Sequence, residues 1–166
     1  MEKEPRVELI QLEPSIEESL SSHPDYFSAM MEEDWSRVAE LVGQILGRTL
    51  TVTPASVDEL QWGGYFVVNA ETREIVGSCA FKGPPSKEGR VEIAYFTYPE
   101  FEGNGYATSM ARKLLALAAG SEAIQTVIAH TQPEASASTR VLEKVGMQFV
   151  GEVEDPEDGD VWRWEN

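Results

Sequence analysis

Gly103 and Gly105 stand in the stretch EGNGYATSMARKLL, residues 102–115, between an apolar run at 91–98 and a helical pattern. In that pattern Ala107, Met110, Ala111, Leu114 and Leu117 recur at three- and four-residue spacing, the mark of one helix face. A strand, a tight glycine turn and the first turn of a helix therefore follow one another. The first N–H groups of a helix lack intrahelical partners and lie at the positive end of its dipole. Such a corner takes a phosphate or another anion. A P-loop is excluded, because no Gly-Lys-Ser/Thr follows the glycines. A dinucleotide fingerprint is incomplete, since position 108 is threonine where a third glycine belongs. A plain strand-to-helix turn with no ligand stands as the competing reading.

The elements that must carry this corner follow from patterning. Residues 7–12 read as a first strand and residues 15–46 as helical in two or three pieces, broken at Pro24. Ser22, Asp25 and Asp34 are candidate caps, and Gly47 a stop. Residues 48–63, with Pro54, read as a loop or a short turn of helix. Strands at 65–70 and 75–81 form a hairpin around Glu71-Thr72-Arg73-Glu74, and 91–98 pairs antiparallel to the second of them. The helix after the glycine turn stops at Gly120. A strand at 124–129, separated from 91–98 by that helix, should run parallel to it. A second helix at 136–145 stops at Gly146, and 147–153 with 161–164 makes a last hairpin. Trp162 and Trp164 share one face of the last strand, read as packing against the core over a ligand role. The expected architecture is a mixed α/β sheet, mostly antiparallel, with helices on both faces. No repeat or linker divides it, so residues 1–166 read as one domain.

With 166 residues and 42% hydrophobic content, the chain supports a single sizeable core. No apolar run reaches the ~20 residues a bilayer needs, and MEKEPRVELI lacks a signal-peptide layout. Cys79 is the one cysteine, so no intrachain disulfide forms, and no cluster of metal-ligand residues is present. A cytoplasmic protein is expected. A net charge of −16 argues against nucleic acid and anionic membranes as partners. It favours a cationic partner such as an amine, although solubility alone explains it equally well. An anionic ligand would have to rely on local N–H donors and on Arg112, Lys113, Arg140 and Lys144.

The turn Glu102-Gly103-Asn104-Gly105-Tyr106-Ala107 resembles motif A of the GNAT superfamily of N-acetyltransferases, Q/R-x-x-G-x-G/A. The flanking text, Val91-Glu92-Ile93-Ala94-Tyr95 before it and Arg140-Val141-Leu142-Glu143-Lys144-Val145-Gly146-Met147 after it, agrees. The resemblance is closest to the branch that includes ribosomal-protein N-terminal acetyltransferases. It covers residue 65 to the C-terminus well and the first third loosely. It implies a fold in which strands 91–98 and 124–129 part in a V that receives the acyl thioester. Residues 1–63 would then form a variable acceptor-side region and 64–166 a cofactor-binding core. The implied activity is direct transfer of the acetyl group of acetyl-CoA to a primary amine, with no metal. The implied acceptor is a protein N-terminus or a small-molecule amine, and a homodimer is common among resembling proteins.

The same resemblance assigns roles. Backbone amides of Gly103, Asn104, Gly105, Tyr106, Ala107 and Thr108 would cradle the pyrophosphate. Phe96, Thr97 and Tyr98 would bond the pantetheine arm through their backbones. Glu92 matches a glutamate that some members use as base, often through water; a carboxylate buried among Val91, Ile93 and aromatic residues would carry a raised pKa. A structural ion pair is the other reading of Glu92. The tyrosine that many relatives use as acid is Leu142 here, and Ser138, one turn earlier, is the remaining donor for the thiolate or pantetheine. Glu102 replaces the motif's Gln/Arg, and Ala135 replaces an asparagine before the second helix. These departures also fit an acyl-CoA-binding module with weakened catalysis. His130 reads as a proton shuttle or as a strand-end histidine satisfied by backbone. Cys79 reads as a small buried residue. His23 reads as surface, and Tyr26, Phe27, Met30, Met31 and Trp35 as an apolar cluster beside the acceptor site.

Overall fold

The computed structural model describes residues 3–11 and 62–166. The expected helices within 15–46, His23 and the aromatic cluster at 26–35 lie outside them. Seven strands form one sheet: β1 (Val7–Gln11), β2 (Gly64–Asn69), β3 (Ile75–Phe81), β4 (Arg90–Thr97), β5 (Thr126–Thr131), β6 (Gln148–Asp155) and β7 (Gly159–Glu165). Two α-helices, α1 (Tyr106–Ala119) and α2 (Ala137–Lys144), connect β4 to β5 and β5 to β6. The sheet order is β1-β2-β3-β4-β5-β7-β6. Every pairing is antiparallel except β4 with β5, which the intervening helix forces to be parallel. No helix among the described residues is long and apolar enough to cross a membrane.

Period-two alternation along β4 and β5 sends Val91, Ile93, Val127 and Ala129 to one face. There they meet Met110 and Leu114 of α1 and Leu142 of α2, all three wholly buried. Each such side chain contributes about 1.5–3 kcal/mol by leaving water. Both described helices thus lie on the same face of the sheet. On α1 the buried stripe is Met110, Ala111, Leu114 and Ala118, while Leu117 is 46% exposed. The expected stripe through Leu117 is corrected by helical pitch: four residues after Leu114 comes Ala118, and Leu117 turns away. Trp164 is buried and Trp162 packs against the same core, as the shared strand face requires.

β3 and β4 approach closely at Gly77, which pairs with Thr97. A Cβ there would sit 2.0 Å from the Phe96 carbonyl oxygen and 2.9 Å from Met110 Cε. Glycine is therefore required for β4 to lie where it does between β3 and α1.

Candidate active site

The pairing of β4 with β5 ends early. Residues 90–92 match 126–128, with Glu92 opposite Ile128 as the last rung. Beyond it β4 continues to Thr97 beside β3, and β5 continues to Thr131 beside β7. The sheet splits into a V with Glu92 at its apex.

Register decides which backbone groups enter the gap. Lys82 N–H donates to the Glu92 carbonyl, and Tyr98 N–H to the Val76 carbonyl, each at 2.8 Å. Backbone groups alternate in side along a strand, so residues 92, 94, 96 and 98 address β3. Tyr95 and Thr97 turn their N–H and C=O into the gap, where they have no strand partner among the described residues. The Tyr98 carbonyl also accepts from Phe101 N–H at 2.9 Å, so its backbone is fully engaged. Across the gap, Thr126 N–H bonds the Gly89 carbonyl while Val127 bonds Asn166 on the other side. By the same alternation, His130 turns its backbone groups to the gap. Of the three residues expected on the pantetheine arm, Thr97 faces the opening; Phe96 and Tyr98 face β3. Tyr95, which sequence reasoning missed, faces the opening with Thr97.

Below the gap lies the glycine turn. A 3-10 turn, Pro99–Phe101, leads into it. Gly103 (φ +78°) and Gly105 (φ +84°) are left-handed, a conformation that costs other residues about 1–2 kcal/mol each. Asn104 Nδ2 donates to the Phe101 and Glu102 carbonyls, 3.1 Å each, so this side chain holds the turn itself. Gly105 caps α1 without any side-chain hydrogen bond. The first helical bond runs from Ser109 N–H to the Gly105 carbonyl, 3.1 Å. The N–H groups of residues 105–108 precede it, without a side-chain cap among the described residues, at the positive end of the helix. Tyr106 and Thr108 are buried. The Tyr106 hydroxyl accepts from Asn69 Nδ2 at 2.6 Å, and its ring meets Phe101 edge-on, so only its backbone is available at the corner. Glu102 is exposed and makes no ion pair among the described residues.

At the apex, on the face away from α1 and α2, four charged or titratable side chains form a chain. Glu92 Oε1 lies 2.7 Å from Lys82 Nζ and 2.9 Å from His130 Nδ1. Arg163 Nε–H donates to His130 Nε2 at 3.2 Å. This pattern matches one imidazole tautomer, with Nδ1–H donated to the carboxylate and the Nε2 lone pair accepting from the guanidinium. His130 is thus held by side chains, where sequence reasoning had weighed backbone. Glu92 keeps ionic company in place of the expected apolar surroundings. Half-burial pulls the Lys82 pKa down, but the Glu92 hydrogen bond and the charges of Glu92, Asp158 and Asp155 outweigh it, and the net shift is upward. Lys82 and Arg163 were not singled out from sequence; only the sheet order β3-β4-β5-β7 brings them together.

The other candidates separate. Ser138 is exposed in the first turn of α2, whose N-cap Ser136 forms a reciprocal capping box with Thr139. Ala135 is exposed just before it. Leu142 is wholly buried in the core. Cys79 is buried, and burial pushes its thiol far above the ordinary range, which removes it as a nucleophile.

An open parallel junction thus lies beside the glycine-turned N-terminus of α1. The family model for the acetyltransferase (GNAT) domain matches residues 17–148, and the chain belongs to that family. It is 30% identical over 82 residues to a Bacillus subtilis (strain 168) protein described as uncharacterized N-acetyltransferase YjdG; the match covers 49% of each chain. The chain thus spans about half the length of that relative. In fold it is similar to RimL, a ribosomal L7/L12 alpha-N-protein acetyltransferase solved with coenzyme A (TM-score 0.61, 13% identity, 100% of this chain and 96% of that one). It is likewise similar to the aminoglycoside acetyltransferase AAC(6')-Ib with coenzyme A (TM-score 0.64, 17% identity, 97% and 94%).

Proposed function

We propose that this chain is an acetyl-CoA-dependent N-acetyltransferase acting on a primary amine. The observation that carries this reading is the split sheet: backbone groups of Tyr95, Thr97 and His130, without a strand partner on that side among the described residues, line the opening, and a carboxylate stands at its apex. Acetyl-CoA supplies the thioester as an activated acyl group. The amides of residues 105–108 are suited to its pyrophosphate, with Gly103 and Asn104 shaping the turn. Tyr95 and Thr97 can add the pantetheine amides to β4 as if to a further strand. Glu92 takes the proton from the acceptor ammonium, directly or through one water, while His130 and Arg163 hold the carboxylate in place. Ser138 Oγ, which makes no hydrogen bond among the described residues, donates to the leaving thiolate. Thiolates leave readily, because the conjugate acid has a pKa of only ~8.5.

The structural relatives named above act on a ribosomal-protein N-terminus and on an aminoglycoside. For this chain the acceptor is proposed only as a primary amine, favoured by the net charge of −16. A second reading, an acyl-CoA-binding module without turnover, is favoured by the double engagement of Glu92 with Lys82 and His130. Thiol release from acetyl-CoA across a panel of peptides and amines tests both. Release with one amine class supports the enzyme; calorimetric binding without release on any amine supports the module.

A further inference from the structure

The proposed reaction needs a primary amine beside Glu92, and the chain already places one there. Lys82 Nζ lies 2.7 Å from Glu92 Oε1, at hydrogen-bond distance from the proposed base. Lys82 follows β3 directly, and its backbone N–H bonds the Glu92 carbonyl, so the side chain is anchored beside the apex of the V. Its side chain is 39% exposed and that of Glu92 22%, so the pair is reachable from solvent and does not lie in the core. We propose that Lys82 occupies the acceptor-amine subsite and is itself acetylated by the enzyme when no external amine displaces it. This rests on the acetyltransferase reading.

The step balances without further reagents. Glu92 accepts a proton from the Lys82 ammonium, and the neutral Nζ attacks the acetyl carbonyl carbon. A C–N bond forms, the C–S bond breaks, and the second proton of the attacking nitrogen passes through solvent to the leaving thiolate. Acetyl-lysine carries no charge, so the modified side chain no longer neutralises Glu92. The groups facing Nζ are Glu92 on β4 and Asp155 and Asp158 at the β6–β7 turn, with His130 and Arg163 reaching it through Glu92. Together they favour the ammonium. Self-acetylation is therefore slow at neutral pH and rises about tenfold per pH unit until the ammonium titrates.

The test incubates the full chain with acetyl-CoA and no acceptor at pH 7 and pH 9, followed by intact mass and peptide mapping. One acetyl group on Lys82, faster at pH 9 and reduced at least tenfold in Glu92→Gln, is the expected result. Lys82→Arg should remove the label while remaining folded. Label spread evenly over Lys87, Lys113 and Lys144, or Lys82 labelling undiminished in Glu92→Gln, would mean uncatalysed chemistry and overturn the proposal. No label beside active turnover of an external amine overturns the inference alone. No label and no turnover of any amine overturns the acetyltransferase reading with it.

Discussion

Gly77→Ala should damage stability and cofactor binding together. The new Cβ would lie 2.0 Å from the Phe96 carbonyl oxygen, a backbone atom that cannot rotate away, and 2.9 Å from Met110 Cε. Restoring an ordinary contact requires β4 to move by more than an ångström relative to β3. Overpacking of a filled core costs about 1–3 kcal/mol, and a backbone clash belongs at the top of that range. For a chain of this size about 3 kcal/mol lowers Tm by about 6–12 °C. Thr97 pairs directly with Gly77, so the displaced segment is the one that faces the gap. Differential scanning calorimetry reads the first effect, and isothermal titration with acetyl-CoA the second. A Tm within a degree of the parent, with unchanged binding, would refute the claim that this contact sets the position of β4.

Leu142→Tyr should not install a catalytic acid. The side chain is wholly buried, so the substitution overpacks the core by about 1–3 kcal/mol; a lower melting temperature without faster thiol release is expected. Glu92→Gln should lower turnover about 100-fold and spare acetyl-CoA affinity, and unchanged turnover would remove Glu92 as the base. Cys79 should resist alkylation at pH 8 in the native protein and react once it is denatured, as its buried, upshifted thiol requires. Lys82 has a raised pKa, so its ion pair contributes stability below the ordinary lysine value of 10.5 and loses it as pH rises through the higher folded value. The stability difference between the parent and Lys82→Met should hold at neutral pH and shrink in alkali, as urea titrations across that range would show.

The glycine turn was legible because left-handed φ at 103 and 105 leaves a mark on residue type, and the parallel β4–β5 pair because a helix stands between the strands. The strand ends were less so: β5 runs to Thr131, two residues past the expected end, because pairing with β7 extends it. Whether Tyr95 or Phe96 faces the gap depends on the register with β3, which no periodicity within β4 reveals. Lys82, Glu92, His130 and Arg163 lie between positions 82 and 163 and meet only because β3, β4, β5 and β7 are neighbours in the sheet. Leu142 matched the position of a family acid by its place in the text, yet helix pitch buries it.

A crystal structure of the chain with coenzyme A is the most direct test of the account. Pyrophosphate oxygens within about 2.7–3.2 Å of the amide nitrogens of residues 105–108, with the pantetheine arm bonded to the backbone of Tyr95 and Thr97, is the predicted result. Coenzyme A bound elsewhere, or a helix corner left without it at saturating concentration, would contradict it.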